Sequence, residues 1–236
     1  MRVAVVCPYD LGRFGGVQDQ ANKLVTWLGE AGHEAWLVGP GVQGPPGARL
    51  VGTSTVVSAN GAATPITLSP SAWRRTAEAI EGADVIHIHE PFMPVVSQAA
   101  VALASVPTVG TFHADPSKAV RRLYKVAGPV LRRVACRLSV ATAVSPVAAA
   151  PLAGIVTVRL VPNGVDVGSF RPIGKNPMRV AFLGRDDPRK GLAVLLAAWP
   201  AVSVAVPAAE LLVAGVSPVK GDYPGVTFVG PVNEAK

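Results

Sequence analysis

The chain has 236 residues, half of them apolar and only 16% charged, with a formal net charge of +7 at pH 7. That balance supports a well-buried globular core and excludes a disordered chain. No apolar run approaches membrane-spanning length, and the short apolar opening after Arg2 is too brief for a secretory signal, so a cytoplasmic protein is expected.

Residues 2–7 read as a strand and 8–14 as a loop, and Gly15-Gly16-Val17 opens a helix over 17–31. Ala21, Leu24, Val25 and Leu28 recur there at helical spacing, and Gly32 is its stop. A strand at 34–38 follows. Residues 47–68 carry no clear period, because Gly, Ser, Asn and Thr interrupt their short apolar runs. Helix 71–80, strand 83–89, helix 94–104 and strand 108–112 then alternate. Helix 118–137, kinked or broken at Pro129, and strands 139–144 and 156–161 complete the series. Near-continuous apolar strands separated by helices predict a doubly wound α/β domain. Cys7 and Cys136 sit inside such apolar patterns and are expected to be buried free thiols of a reducing compartment.

Residues 163–177 are polar and contain glycine and proline, which marks a connector. Domains are therefore expected at 1–170 and 171–236. The second begins with strand 178–183, helix 191–201 and strands 210–214 and 226–229. Such a domain usually needs about 100–150 residues, so this one is read as incomplete.

Two loops carry anion-binding chemistry. Strand 179–184 runs into Arg185, and Pro188-Arg189-Lys190-Gly191 opens the next helix. Helix-start N–H groups, the positive dipole end and two cations can converge there on one diphosphate. Gly15-Gly16 after the first strand is the matching feature in the other half. The dinucleotide fingerprint G-x-G-x-x-G is absent, and Leu37-Val38-Gly39 ends the second strand without the acid that would bind a ribose, which argues against a dehydrogenase. His87 and His89 share one face of a strand, but no third ligand accompanies them and no metal is expected. They and His113 fall at strand carboxyl ends, where open α/β sheets bind ligands. Asp186-Asp187 reads as a solvated loop. Lys118, Arg121, Arg122, Lys125, Arg132, Arg133 and Arg137 form a basic segment without an acid. It is either a solvated helix face or a surface for anionic lipid; no motif for nucleic acid accompanies it.

Pro8-Tyr9, Gly15-Gly16-Val17-Gln18, Ala31-Gly32-His33-Glu34, His87-Ile88-His89-Glu90-Pro91, Thr111-Phe112-His113, Pro162-Asn163-Gly164-Val165-Asp166 and Gly184-Arg185 with Pro188-Arg189-Lys190-Gly191 occur in this order. Together they resemble the retaining glycosyltransferases of family 4. The resemblance implies a GT-B fold, two Rossmann-like domains facing a cleft, with the acceptor held by the first and the sugar nucleotide by the second. It implies transfer of a hexose, mannose from GDP-mannose, to a phosphatidylinositol-type lipid, with no cofactor beyond the sugar nucleotide. His113 would be catalytic beside the transferring sugar. Gly15, Gly16, Arg185 and Lys190 would bind the donor, and Tyr9, Gln18 and Lys118 the acceptor. Arg121, Arg122 and Lys125 would meet an anionic membrane on the inner face of the plasma membrane. The family's paired glutamates, E-x7-E, have no counterpart before Lys236, so the chain is read as truncated and inactive alone. Alternatives are a non-catalytic sugar-nucleotide or membrane-binding module and a GT-B sugar-nucleotide epimerase.

Overall fold

The computed structural model describes residues 1–59, 62–169, 174, 176–184, 187, 190–218, 221, 223–230 and 232. The chain divides into two compact units, Met1–Val165 and Asp166–Lys236.

The first unit opens with β1 (Arg2–Val6), α1 (Gly16–Glu30) and β2 (Glu34–Gly39). Gly32, at φ 82°, lets the chain leave α1 in a left-handed turn. There Gly32 N donates to Gly29 O and His33 N to Leu28 O, which satisfies carbonyls the helix leaves open. The aperiodic stretch resolves into a short β3 (Arg49–Leu50) and an antiparallel hairpin of β4 (Thr55–Ala59) and β5 (Ala62–Ile66). Next come α2 (Pro70–Ile80), β6 (Val85–His89), α3 (Val96–Leu103) and β7 (Thr108–Phe112). The basic segment forms two helices, α4 (Lys118–Val126) and α5 (Gly128–Ala135), not one kinked helix. Pro129 has no N–H to donate and is tolerated only in a first turn, so α4 stops and α5 starts at the Ala127-Gly128 junction. Then β8 (Val140–Ala143), α6 (Pro146–Ala149) and β9 (Arg159–Leu160) close the unit.

Seven of these strands form one parallel sheet in the order β3-β2-β1-β6-β7-β8-β9. Alternation along β1 explains why it sits in the interior of the sheet. Ala4 and Val6 pack with Trp36, Ile86, Ile88 and the inner faces of α2 and α3. Val3, Val5 and Cys7 pack on the opposite face with Leu37 and the α1 residues Ala21, Leu24 and Val25. A strand covered on both faces must be apolar at every position, and each fully buried aliphatic side chain contributes about 1.5–3 kcal/mol. Gly110 in β7 answers to crowding: a Cβ there would lie 2.7 Å from the side chains of Leu138 and Pro91.

The sheet order reverses between β1 and β6. In open α/β sheets a crevice forms at the carboxyl ends of the strands flanking such a reversal, and ligands bind there.

The second unit contains β10 (Arg179–Leu183), α7 (Leu192–Ala205), β11 (Glu210–Ala214) and β12 (Val226–Gly230), with the strands parallel in that order. Leu196 and Trp199 of α7 pack on Leu211 and Val213 to form its core. Cys7 is buried as expected, but Cys136 is exposed, because α5 ends at Ala135 and the chain turns outward there.

Candidate active site

Three histidines stack at the carboxyl ends of β6 and β7. His87 and His89, two residues apart on one face of β6, have ring centroids 4.8 Å apart, and His89 and His113 are separated by 4.9 Å. The register that pairs His89 with Thr111 brings His113 alongside. His89 Nδ1 lies 2.7 Å from His113 Nε2, and His87 Nε2 lies 2.9 Å from Thr111 Oγ1. Thr111 Oγ1 is in turn 2.7 Å from Thr142 Oγ1 of β8. Burial holds the His87 and His113 imidazoles down to about 4 and pushes His89 well below its ordinary range. All three rings are therefore uncharged at neutral pH. His89 is buried and not at a rim, as its strand-end position had suggested, because the His87 and His113 rings cover it.

Glu90 follows His89 in a left-handed backbone conformation, φ 49°, uncommon outside glycine. That turn aims its carboxylate back at the next loop, where Oε1 accepts from the backbone N–H of His113 at 2.7 Å and of Ala114 at 2.8 Å. Burial pushes the Glu90 carboxyl up to about 7, against the pull of those two N–H groups. Sequence alone gives Glu90 no role beyond its place in the His87-Ile88-His89-Glu90-Pro91 stretch. Its one local signal was an acid placed directly after an apolar strand and before a proline.

Glu90 lines a cavity of about 110 Å³ with Tyr9, Met93, Phe112, Tyr124 and Leu152. Tyr9 follows β1 and is held by a bridge to Ile66. Burial first, and Glu90 second, raise its phenol well above the ordinary range. The same loop leads to Gly15, which caps α1 in an extended conformation, and to Gln18, whose Nε2 donates to Asp10 O at 3.3 Å. Gly16 opens the helix onto free space, with no atom within 4 Å of where a Cβ would sit.

Of the residues expected to hold the acceptor, Tyr9 lines the Glu90 cavity. Lys118 lines an adjoining basic hollow of about 520 Å³ with Arg121, Arg122, Lys125 and Arg132, and Tyr124 and Pro151 line both spaces. Several of its cations are already engaged. Arg121 pairs with Asp115 and donates to Pro116 O, and Arg132 donates to Gly154 O at 2.7 Å; outside the hollow, Arg137 donates to Ala102 O at 2.6 Å.

In the second unit Lys190 is exposed, and its N–H donates to Asp187 O at 2.8 Å in the turn that leads to Gly191, the cap of α7. Asp187 is buried, not solvated, and its carbonyl closes that turn. Arg185, Asp186, Pro188 and Arg189 lie outside the described residues. Among the described residues no group of three or more His, Cys, Asp or Glu side chains is arranged to hold a metal, and no helix is long and apolar enough to cross a membrane.

Comparison with known proteins places this geometry. Residues 14–169 match Glycosyltransferase Family 4. A phosphatidyl-myo-inositol mannosyltransferase of Mycolicibacterium smegmatis is 35% identical along all of the chain, which spans 66% of that relative. One of Propionibacterium freudenreichii is 34% identical over 99% of the chain and 66% of its own length. The chain thus spans about two thirds of the length of the curated relatives it matches. Among solved structures, Anabaena HepE in complex with UDP and glucose aligns over 99% of this chain and 70% of its own, with a TM-score of 0.69 and 15% identity. An alpha-glucosyltransferase in complex with UDP and a 13-mer DNA aligns over 93% of this chain and 58% of its own, with a TM-score of 0.59 and 15% identity. At such identities the likeness carries the fold alone, a GT-B fold of parallel α/β units.

Proposed function

The chain belongs to Glycosyltransferase Family 4, and from that premise we propose that it serves transfer of a hexose, mannose from GDP-mannose, with retention, to a phosphatidylinositol-type lipid. The observation that carries this reading is the 35% identity to a phosphatidyl-myo-inositol mannosyltransferase along the whole chain. The geometry of the first unit supports it. A neutral, half-buried His113 and the open Gly16 start of α1 both lie at carboxyl ends of strands of one parallel sheet, where sugar nucleotides and acceptors are bound in such folds.

The reaction builds positive charge on the sugar and negative charge on the departing diphosphate. In this proposal Arg185 and Lys190 bind the donor diphosphate as fixed cations, and Gly15-Gly16 contribute to donor binding through the N–H groups and dipole of the α1 start, which favour anions. His113 meets the transferring sugar. Tyr9, Gln18 and Lys118 meet the polar head of the lipid, and Arg121, Arg122 and Lys125 the anionic membrane carrying it. Exposed Leu123, Val126 and Val130 lie among those cations, the composition of a surface that rests at a lipid interface.

Calorimetry with GDP and GDP-mannose tests the donor site. Arg185→Ala and Lys190→Ala should each weaken binding by about tenfold or more, the worth of a charge-assisted hydrogen bond of roughly 1.5–3 kcal/mol. Unchanged affinity in both variants would remove the assignment. Mass spectrometry of the lipid product, with GDP-mannose and UDP-glucose offered in parallel, tests the reaction. A preference for UDP-glucose overturns the proposed donor.

A further inference from the structure

The His89–His113 contact leaves one proton arrangement free of conflict. Two neutral imidazoles joined Nδ1 to Nε2 share one hydrogen, and the 2.7 Å distance does not say which ring owns it. The answer lies at the far side of His89. Its Nε2 is sealed from solvent and has no hydrogen-bond partner among the described residues. If His113 donated, the one proton of neutral His89 would sit on that Nε2, an N–H buried without an acceptor. Orphaned buried N–H groups are rare because the lost hydration is not repaid, whereas a bare lone pair is tolerated more often. A doubly protonated His89 would keep the same orphan and add a buried charge. His89 therefore carries its proton on Nδ1 and donates to His113 Nε2.

We infer that His89 is a positioning residue that fixes His113 as its Nδ1–H tautomer, so that His113 meets its ligand as a hydrogen-bond donor and not as a base. With Nε2 occupied by His89, the only ring atom His113 can offer is Nδ1–H, which has no partner among the described residues. The titratable groups around the pair leave this unaltered. His87 stacks on His89 but bonds Thr111, and the Glu90 carboxylate is spent on backbone N–H groups, not on either ring. The ligand atom facing His113 is then an oxygen with a free lone pair, a hydroxyl or phosphoryl oxygen of a sugar nucleotide. That identification of the ligand rests on the function proposed above; the tautomer does not.

Long-range proton–nitrogen correlation spectra of the histidine-labelled chain at pH 7, without sugar nucleotide, read the tautomers directly. The expected result is protonated Nδ1 and unprotonated Nε2 in both His89 and His113. An Nε2–H form of either residue overturns the inference. In His89→Asn the amide nitrogen takes the place of Nδ1 and can still donate, so His113 should keep Nδ1–H. In His89→Phe the donor is gone, and the Nε2–H form of His113 should appear. Persistence of the Nδ1–H form there would deny His89 its role. Should the Phe variant not fold, the parent and Asn spectra decide. Added GDP-mannose should move the His113 Nδ1 resonance; binding without such a shift overturns the donor role. GDP-mannose that fails to bind overturns the proposed function and leaves the tautomer standing.

Discussion

Glu90 occupies a backbone conformation that costs about 1–3 kcal/mol for a residue with a side chain, and the two N–H groups its carboxylate receives offset that cost. Glu90→Ala keeps the strain and removes the one oxygen that accepts both bonds, so it should destabilise the first unit by about 1–3 kcal/mol in urea denaturation. Glu90→Gln retains a carbonyl acceptor and should lose less. An equal loss in both would mean that the carboxylate, not its geometry, holds the loop. Little of this was legible beforehand. The sequence placed His87, His89 and His113 at strand ends, since period-two alternation needs only local spacing. The bonds from Glu90 to His113 and Ala114 span 23 and 24 residues and depend on a positive φ, which no local pattern announces for glutamate.

Among the elements, α4 shows how a helix can be foreseen and its role still narrowed by structure. Its apolar and basic alternation was plain, and Ser117 caps it by accepting from Val120 N. What the sequence concealed was where the charge goes, because Asp115 stands upstream of the acid-free run and takes Arg121. Arg122 and Lys125 are exposed and have no such ion pair among the described residues. Arg122→Glu and Lys125→Glu, each alone, should therefore weaken co-sedimentation with anionic vesicles at low salt more than Arg121→Glu, which changes the charge by the same amount. Equal effects would show that net charge, not the free cations, sets any lipid preference. The β4–β5 hairpin was less legible. Ala59 pairs with Ala62, so the strands are linked by the dipeptide Asn60-Gly61, a strong hairpin signal; those two residues lie outside the described ones. Its flanking strands lack the apolar alternation that would have given the signal weight.

Across the whole molecule, the buried titratable groups give stability a definite dependence on pH. His87 and His113 sit at about 4 in the fold, His89 lies lower still, and their ordinary value is 6.5. Unfolding below pH 6.5 lets them take up protons, so their contribution is present above 6.5 and is lost as pH falls toward 4. Glu90 works in the opposite sense. Raised from 4.5 to about 7, it favours the fold below pH 4.5, and that contribution is lost as pH rises through 7. Three histidines outweigh one glutamate, so unfolding takes up a net of about two protons between pH 4.5 and 6.5. Stability should level off above about pH 7 and fall on the acid side by roughly 2–3 kcal/mol per pH unit, two protons at about 1.4 kcal/mol each. Denaturant melts across that range check it, and a flat profile would mean that the histidines are not buried neutral. The doubly wound class was legible because alternating elements leave few topologies open. The strand order itself was not, since it rests on pairings far apart in the chain.

The position of β1 between β2 and β6 sets the timing of its own completion. Val6 meets Val38 on one side and Ile88 on the other, partners 32 and 82 residues later in the chain. At a synthesis rate of about 5–20 residues per second, the β6-facing edge of β1 stays open for roughly 4–16 s after that strand is made. During that interval an apolar strand flanked by one neighbour is a template for pairing with another nascent chain. Loop closure over such distances is also slow in refolding from denaturant. The first strand of the chain is thus the one whose two edges are secured furthest apart in time, and the supply of folded protein depends on how well the cell shields it until the β6 histidines have been made.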